Sequence, residues 1–170
     1  MKSIWAISIV VALTVMASAQ TVTKLYVPAG AGGDAGRMST LVYGIETNQL
    51  IAELQPSHDA GLAVTNADST EVWIFGATST SCDIYGIATD KLIKTIEIER
   101  QVIDAVFSPD GKYCFVIGSI PGSGTNGLLV IDRATYSIAF SVPEVVDPAA
   151  IAVSSNSQSL YCVSPSRGTL

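Results

Sequence analysis

The chain is poor in the residues that do chemistry. Its 170 residues include one histidine, His58, and three cysteines. One histidine excludes haem or copper centres that need several imidazole ligands. No Cys-x-x-Cys or Cys/His spacing supports a metal site. Lysine and arginine total 9 against 15 acids, for a net charge of −6. No cluster of basic residues exists, which argues against a nucleic-acid partner. No Walker motif, Gly-x-Ser-x-Gly elbow or zincin helix occurs. Beyond the first twenty residues no helical period stands out. After the N-terminal region no apolar run is long enough to span a bilayer as a helix, which needs about 20 residues.

The N-terminus has its own composition. Lys2 is followed by an apolar run from Ile4 to Met16, then by Ala17-Ser18-Ala19 and Gln20. A positive start, a short apolar stretch and a small-x-small site have the form of a secretory signal peptide. Residues 1–19 are therefore expected to be removed between Ala19 and Gln20. Residues 20–170 form one domain placed outside the cytoplasm: secreted, periplasmic or at the cell surface. In that oxidising setting three cysteines leave at least one thiol unpaired. Cys82, Cys114 and Cys162 are expected to serve as small buried apolar residues.

What the mature chain does have is repetition. VTNADSTEVWIFGA from Val64, VFSPDGKYCFVIGS from Val106 and AVSSNSQSLYCVSP from Ala152 align without gaps. YGIETNQLIAEL from Tyr43, YGIATDKLIKTI from Tyr85 and IDRATYSIAFSV from Ile131 align at the same offsets, 42 and then 46 residues. Valine, isoleucine and aromatics dominate these segments, as strands require. Asp68-Ser69, Asp110-Gly111 and Asn156-Ser157 share one turn position; Thr47-Asn48, Thr89-Asp90 and Thr135-Tyr136 share another. Such residues accept the left-handed conformation of tight hairpins. A period of about 40–50 residues built from strands and turns reads as β-propeller blades.

Each unit divides into four antiparallel strands. The innermost strands are expected at Gly61–Thr65, Ile103–Ser108 and Ala150–Ser154. The second are Lys24–Ala29, Glu71–Gly76, Tyr113–Gly118 and Ser159–Ser164. The third are Thr40–Glu46, Cys82–Ala88 and Gly127–Arg133. The outermost are Gln49–Leu54, Leu92–Ile98 and Ser137–Val142. The fold class is thus all-β, an incomplete ring of about three to three and a half blades. The first blade is read with three strands and the fourth with two. Propellers close with four to eight blades, and an open array exposes apolar faces at its ends. Three arrangements follow: a piece of a longer propeller, two copies closing one ring, or an open array. Self-association through the open blade ends is expected.

VFSPDGKYCFVIGS with LLVIDRATYSIAFSV resembles the YVTN-repeat β-propellers, which include lactonase-like members. Ser108-Pro109-Asp110-Gly111 matches that family's turn. Phe115-Val116, Tyr26-Val27, Trp73-Ile74 and Tyr161-Cys162 take the Tyr-Val position, and Val130-Ile131-Asp132 the third strand. The likeness runs from about Lys24 to Pro165. The resemblance implies a propeller and allows an enzyme or redox partner as relatives, but it carries no active residue onto this chain.

No catalytic group is assigned, and no cofactor or metal is expected. The glycine-rich Gly30–Gly36 stretch follows a strand, yet the helix that a dinucleotide loop requires is missing. His58 is read as a solvated loop residue, because no partner accompanies it beyond its neighbour Asp59. Asp132 is read as a turn residue binding backbone amides. Loops on a rigid scaffold are where binding concentrates. In an antiparallel meander, second-to-third-strand loops share a face with the links entering innermost strands. That face carries the candidate ligand-binding residues Asp34, Arg37, His58, Asp59, Arg100, Asn126 and Asp147. The protein or small-molecule ligand is not specified by the sequence. The functional alternatives are a binding module, a piece of a lactonase-like hydrolase or redox-partner propeller, and a structural cell-surface repeat protein.

Overall fold

The computed structural model describes residues 10–12, 23–29, 38–123 and 125–165. All of its regular elements longer than one turn are strands. Three sheets have four antiparallel strands in sequence order. Blade 1 holds β1 (Val10–Ala12), β2 (Lys24–Pro28), β3 (Thr40–Gly44) and β4 (Gln49–Leu54). Blade 2 holds β5 (Ala60–Thr65), β6 (Glu71–Gly76), β7 (Ser81–Gly86) and β8 (Lys91–Glu97). Blade 3 holds β9 (Gln101–Phe107), β10 (Tyr113–Ser119), β11 (Asn126–Asp132) and β12 (Ser137–Val146). A hairpin of β13 (Ala150–Val153) and β14 (Leu160–Val163) begins a fourth. Innermost strands β1, β5, β9 and β13 follow one another, so the blades form an arc around one axis. Among the described residues the arc does not close.

The pairing register repeats as the sequence does. Val64 pairs with Trp73, Val106 with Phe115 and Ala152 with Tyr161. Tyr26, Trp73 and Phe115 pair onward with Val42, Ile84 and Val130. The third and fourth strands slip register at Val42/Tyr43, Ile84/Tyr85 and Val130/Ile131, one equivalent bulge per blade. Period-2 geometry would reverse these faces with a one-residue error.

Turn chemistry explains the sharp corners. Ser69, Gly111 and Ser157 have φ of 55, 72 and 59°, and Asn48, Asp90 and Tyr136 have φ of 52, 54 and 52°. All six sit at the two aligned turn positions. Small polar residues and glycine tolerate that region; tyrosine does so only when its surroundings hold it there. Gly118 is needed for close approach, since a Cβ there would lie 2.4 Å from the Gln101 carbonyl oxygen.

The core lies between blades. Trp73, Phe75, Cys82 and Ile84 of blade 2 pack against Phe107, Cys114, Val116, Leu129 and Ile131 of blade 3. Trp73 meets Phe107 edge-on at 5.0 Å. Tyr26, Val42 and Leu54 of blade 1 pack against Ala63, Val72, Ile74 and Tyr85 of blade 2. Cys82 and Cys114 are buried free thiols, as expected, whereas Cys162 is only half-buried.

Two expectations change. Sequence patterning starts blade 1 at its second strand, but β1 completes it, with Val10 opposite Tyr26. The reason is dual character: an apolar stretch with two β-branched valines suits a leader and also suits a strand beside the free edge of β2. Ala19 and Gln20 lie outside the described residues. The outermost strand of blade 3 also runs to Val146 rather than Val142.

The aligned aromatics make a direct test of blade stacking. Trp73 is fully buried, while Tyr161 is 61% exposed, with no further blade against it among the described residues. Trp73→Ala is expected to cost about 3–5 kcal/mol, and Tyr161→Ala under about 1 kcal/mol. Urea unfolding of both variants measures the difference.

Candidate functional site

The arc has two loop faces. One carries the hairpin turns joining first to second and third to fourth strands. The other carries the links between blades and the second-to-third-strand loops, where the candidate residues fall.

On the hairpin-turn face, Lys24, Asp90, Glu71 and Arg133 hold blades together. Lys24 Nζ donates to both carboxylate oxygens of Asp90, at 2.8 and 2.7 Å, and to the Ile87 carbonyl at 2.7 Å. At the equivalent place in the next junction stands buried Glu71. Its Oε2 accepts from Trp73 Nε1 at 2.9 Å and Arg133 Nε at 3.3 Å, and its Oε1 from Tyr136 Oη at 2.8 Å and Arg133 Nη2 at 3.3 Å. Arg133 also donates to Asp68 and Thr70, each at 2.9 Å. Tyr136 therefore keeps its left-handed backbone through side-chain contacts. A cleft of about 440 Å³ opens beside Lys112, Tyr113 and Asp132. Its buried polar groups already satisfy one another. The Asp132 carboxylate accepts from the Thr135 amide at 2.9 Å, the turn role expected of it.

The other face is less saturated. Asp34 and Arg37 lie outside the described residues. Asp59 is bound to a neighbouring loop, its Oδ2 accepting from Thr78 N at 3.0 Å and Thr78 Oγ1 at 2.7 Å. Asn126 and Asp147 come together: the Asn126 amide donates to Asp147 Oδ1, and the Asp147 amide to the Asn126 carbonyl, each at 3.2 Å. Arg100 is half-buried beside a cavity of about 180 Å³ between blades 2 and 3. Its Nε and Nη1 are screened from solvent and have no protein acceptor. Burial pushes its pKa down, against the opposing charge of Glu99.

His58 is not a solvated loop residue. It is buried, 6% exposed, under the link between blades 1 and 2. Its Nδ1 lies 3.4 Å from the Asp59 carbonyl oxygen, and its Nε2 3.8 Å from Asp83 Oδ2. Asp83 is the group that the sequence reading misses. It is fully buried in β7, and its carboxylate accepts from the Ser57 amide and Thr95 Oγ1, both at 2.5 Å, and from Ser57 Oγ at 3.1 Å. A lone aspartate within an apolar strand was the available signal, since a buried carboxylate needs partners.

Ser57, His58 and Asp83 have the residue types of a hydrolase triad but not its connections. The serine hydroxyl donates to the carboxylate, and the imidazole does not bridge the two. A nucleophile needs its base within hydrogen-bond reach. The cluster instead ties the blade 1–2 link to β7 and β8. Among the described residues no group of three or more His, Cys, Asp or Glu side chains could hold a metal, and no helix is long and apolar enough to cross a membrane. Burial raises the Cys82 and Cys114 thiols above their usual range, which makes them poor nucleophiles.

No protein-family model matches the chain, and no curated protein does. Among solved structures it is similar to hydrazine synthase of Kuenenia stuttgartiensis, at 17% identity and a TM-score of 0.64. The match covers 81% of this chain and 39% of that one. At that identity the likeness shows the fold alone. It fits propeller blades, and this chain spans well under half of its neighbour's length.

Two outcomes follow. Glu71→Ala leaves Trp73 Nε1, Tyr136 Oη and Arg133 Nε without an acceptor, and should cost about 2–3 kcal/mol in urea unfolding. Burial, with the nearby Asp83 charge, pushes Tyr85 from 10.0 up to about 12. The folded state thus favours the neutral phenol. Its contribution is fully present below about pH 10 and lost as pH rises towards about 12. Thermal unfolding between those pH values should fall more steeply for the natural chain than for Tyr85→Phe.

Proposed function

We propose that this chain is a non-enzymatic binding module of YVTN-repeat type, exported by its N-terminal leader to the periplasm, cell surface or medium. The ligand meets the face formed by the blade links and the second-to-third-strand loops. One contrast carries the reading. At the hairpin-turn end of the junctions Lys24, Asp90, Glu71 and Arg133 are paired from blade to blade, whereas Arg100 at the other end has guanidinium nitrogens without a protein acceptor. Half-buried groups of unspent hydrogen-bonding capacity beside a cavity are what a ligand site offers.

A lactonase-like hydrolase or redox-partner reading rests on resemblance to the repeat family, and a structural surface role rests on the repeats alone. Among the described residues neither has a constellation to support it. Secreted protein should begin at Gln20 by mass spectrometry. Amide-resonance mapping with a fragment library of acids, amines, sugars and short peptides should place shifts in residues 57–59, 99–101 and 120–127. Shifts confined to residues 66–70, 109–113 and 133–137, or turnover of a lactone panel, would overturn the reading.

A further inference from the structure

The internal repeat allows one blade junction to be read against the next. The 42-residue step that carries Tyr43 onto Tyr85 carries Pro56, Ser57 and His58 onto Ile98, Glu99 and Arg100. The 46-residue step that carries Tyr85 onto Ile131 carries Asp83 onto Leu129 and Thr95 onto Ser141. Strand pairing agrees, since Asp83 faces Thr95 and Leu129 faces Ser141. The cavity of about 180 Å³ is lined by Ile98, Glu99, Arg100, Leu129 and Ser141, with Ile138 beside them. It is therefore the blade 2–3 counterpart of the Ser57–His58–Asp83–Thr95 cluster.

The two junctions differ in one chemical respect. In the first, an internal carboxylate collects three hydrogen bonds and faces an imidazole. In the second, leucine replaces the carboxylate and arginine replaces the imidazole. Arginine carries a permanent positive charge, and no carboxylate stands at the position of Asp83. Gly127 helps to admit it, because a Cβ there would stand 3.2 Å from Arg100 Nη1. Screened Nε and Nη1 atoms without an acceptor are costly. Ile98 and Leu129, 1% and 2% exposed, give the cavity an apolar wall, and Ser141 gives it a hydroxyl.

We infer that the blade 2–3 cavity binds a small monocarboxylate with a short apolar tail, its acid group on Arg100 standing in for the carboxylate that Asp83 supplies one junction earlier. The inference deepens the loop-face reading and rests on it. The volume suits roughly six non-hydrogen atoms at about 30 Å³ each, the size of butyrate. Arginine presents paired donors in a plane that matches a carboxylate. The Ser141 hydroxyl is placed to add a further donor, as Thr95 does for Asp83. The tail would lie against Ile98, Leu129 and Ile138.

The probe is sodium butyrate, titrated into the full chain against sodium chloride at equal ionic strength, with butanol as a neutral control. Butyrate should shift amide resonances of residues 98–101, 127–129 and 141, with a Kd roughly in the 1–10 mM range for so small a ligand. Butanol and chloride should not. Arg100→Gln should weaken binding at least about tenfold. Leu129→Asp places an internal carboxylate in the cavity and should abolish the butyrate response. Because that change loads the core with charge, Ser141→Asp provides a second route to the same result from the cavity rim. Butyrate shifts no larger than those of chloride, or undiminished in Arg100→Gln, overturn the inference. Other fragments mapping to this face while acids do not would sink the inference alone; no fragment mapping there would sink the loop-face reading with it.

Discussion

Everything in this fold depends on apolar faces of successive blades meeting each other. A single four-stranded sheet buries little, because both of its faces need cover. Here the cover comes from the neighbour. Trp73, Phe75 and Ile84 are solvent-free only because Phe107, Val116 and Ile131 lie against them. Area removed from water is the dominant favourable term in folding, and in this chain it is earned at junctions and not within sheets. The loops are positioned by that stacking. So are the two polar clusters, each of which draws its members from both sides of a junction.

The blade pattern was legible because its determinants are local. Turn residues sit at fixed offsets, and alternation of side chains around them sets the register. The aligned positive-φ residues and the three equivalent bulges follow from chemistry within a dozen residues of chain. Tyr136 is the instructive exception. Nothing local favours tyrosine there; Glu71, 65 residues earlier, holds its hydroxyl.

The polar clusters were not legible for the same reason. Ser57 and Asp83 are 26 residues apart, and Arg133 and Glu71 are 62 apart. His58 looked like a lone loop histidine because its partner lay hidden inside an apolar strand. Arg100 was singled out by its place in a blade link, but its lack of an acceptor is a property of the packed junction. The N-terminal stretch shows another limit. Val10–Ala12 is apolar in a way that serves export and strand pairing alike, so pattern alone does not separate the two uses. Cleavage after Ala19 would take β1 away and bare the inner edge of β2.

The pairs on the hairpin-turn face have reversed polarity at successive junctions. Blade 1 offers a cation, Lys24, to an anion on blade 2; blade 2 offers an anion, Glu71, to a cation on blade 3. Blades that are nearly interchangeable in shape are therefore not interchangeable in order. A second copy of blade 2 placed after blade 2 would set Asp90 against Glu71, and blade 3 placed directly after blade 1 would bring Arg133 towards Lys24. Repeat arrays are prone to gain and lose units by unequal exchange of their coding sequence. In this one, a deletion or duplication of a middle unit would bring like charges together at a partly buried seam, so the arc resists being reshuffled even though its parts share one pattern.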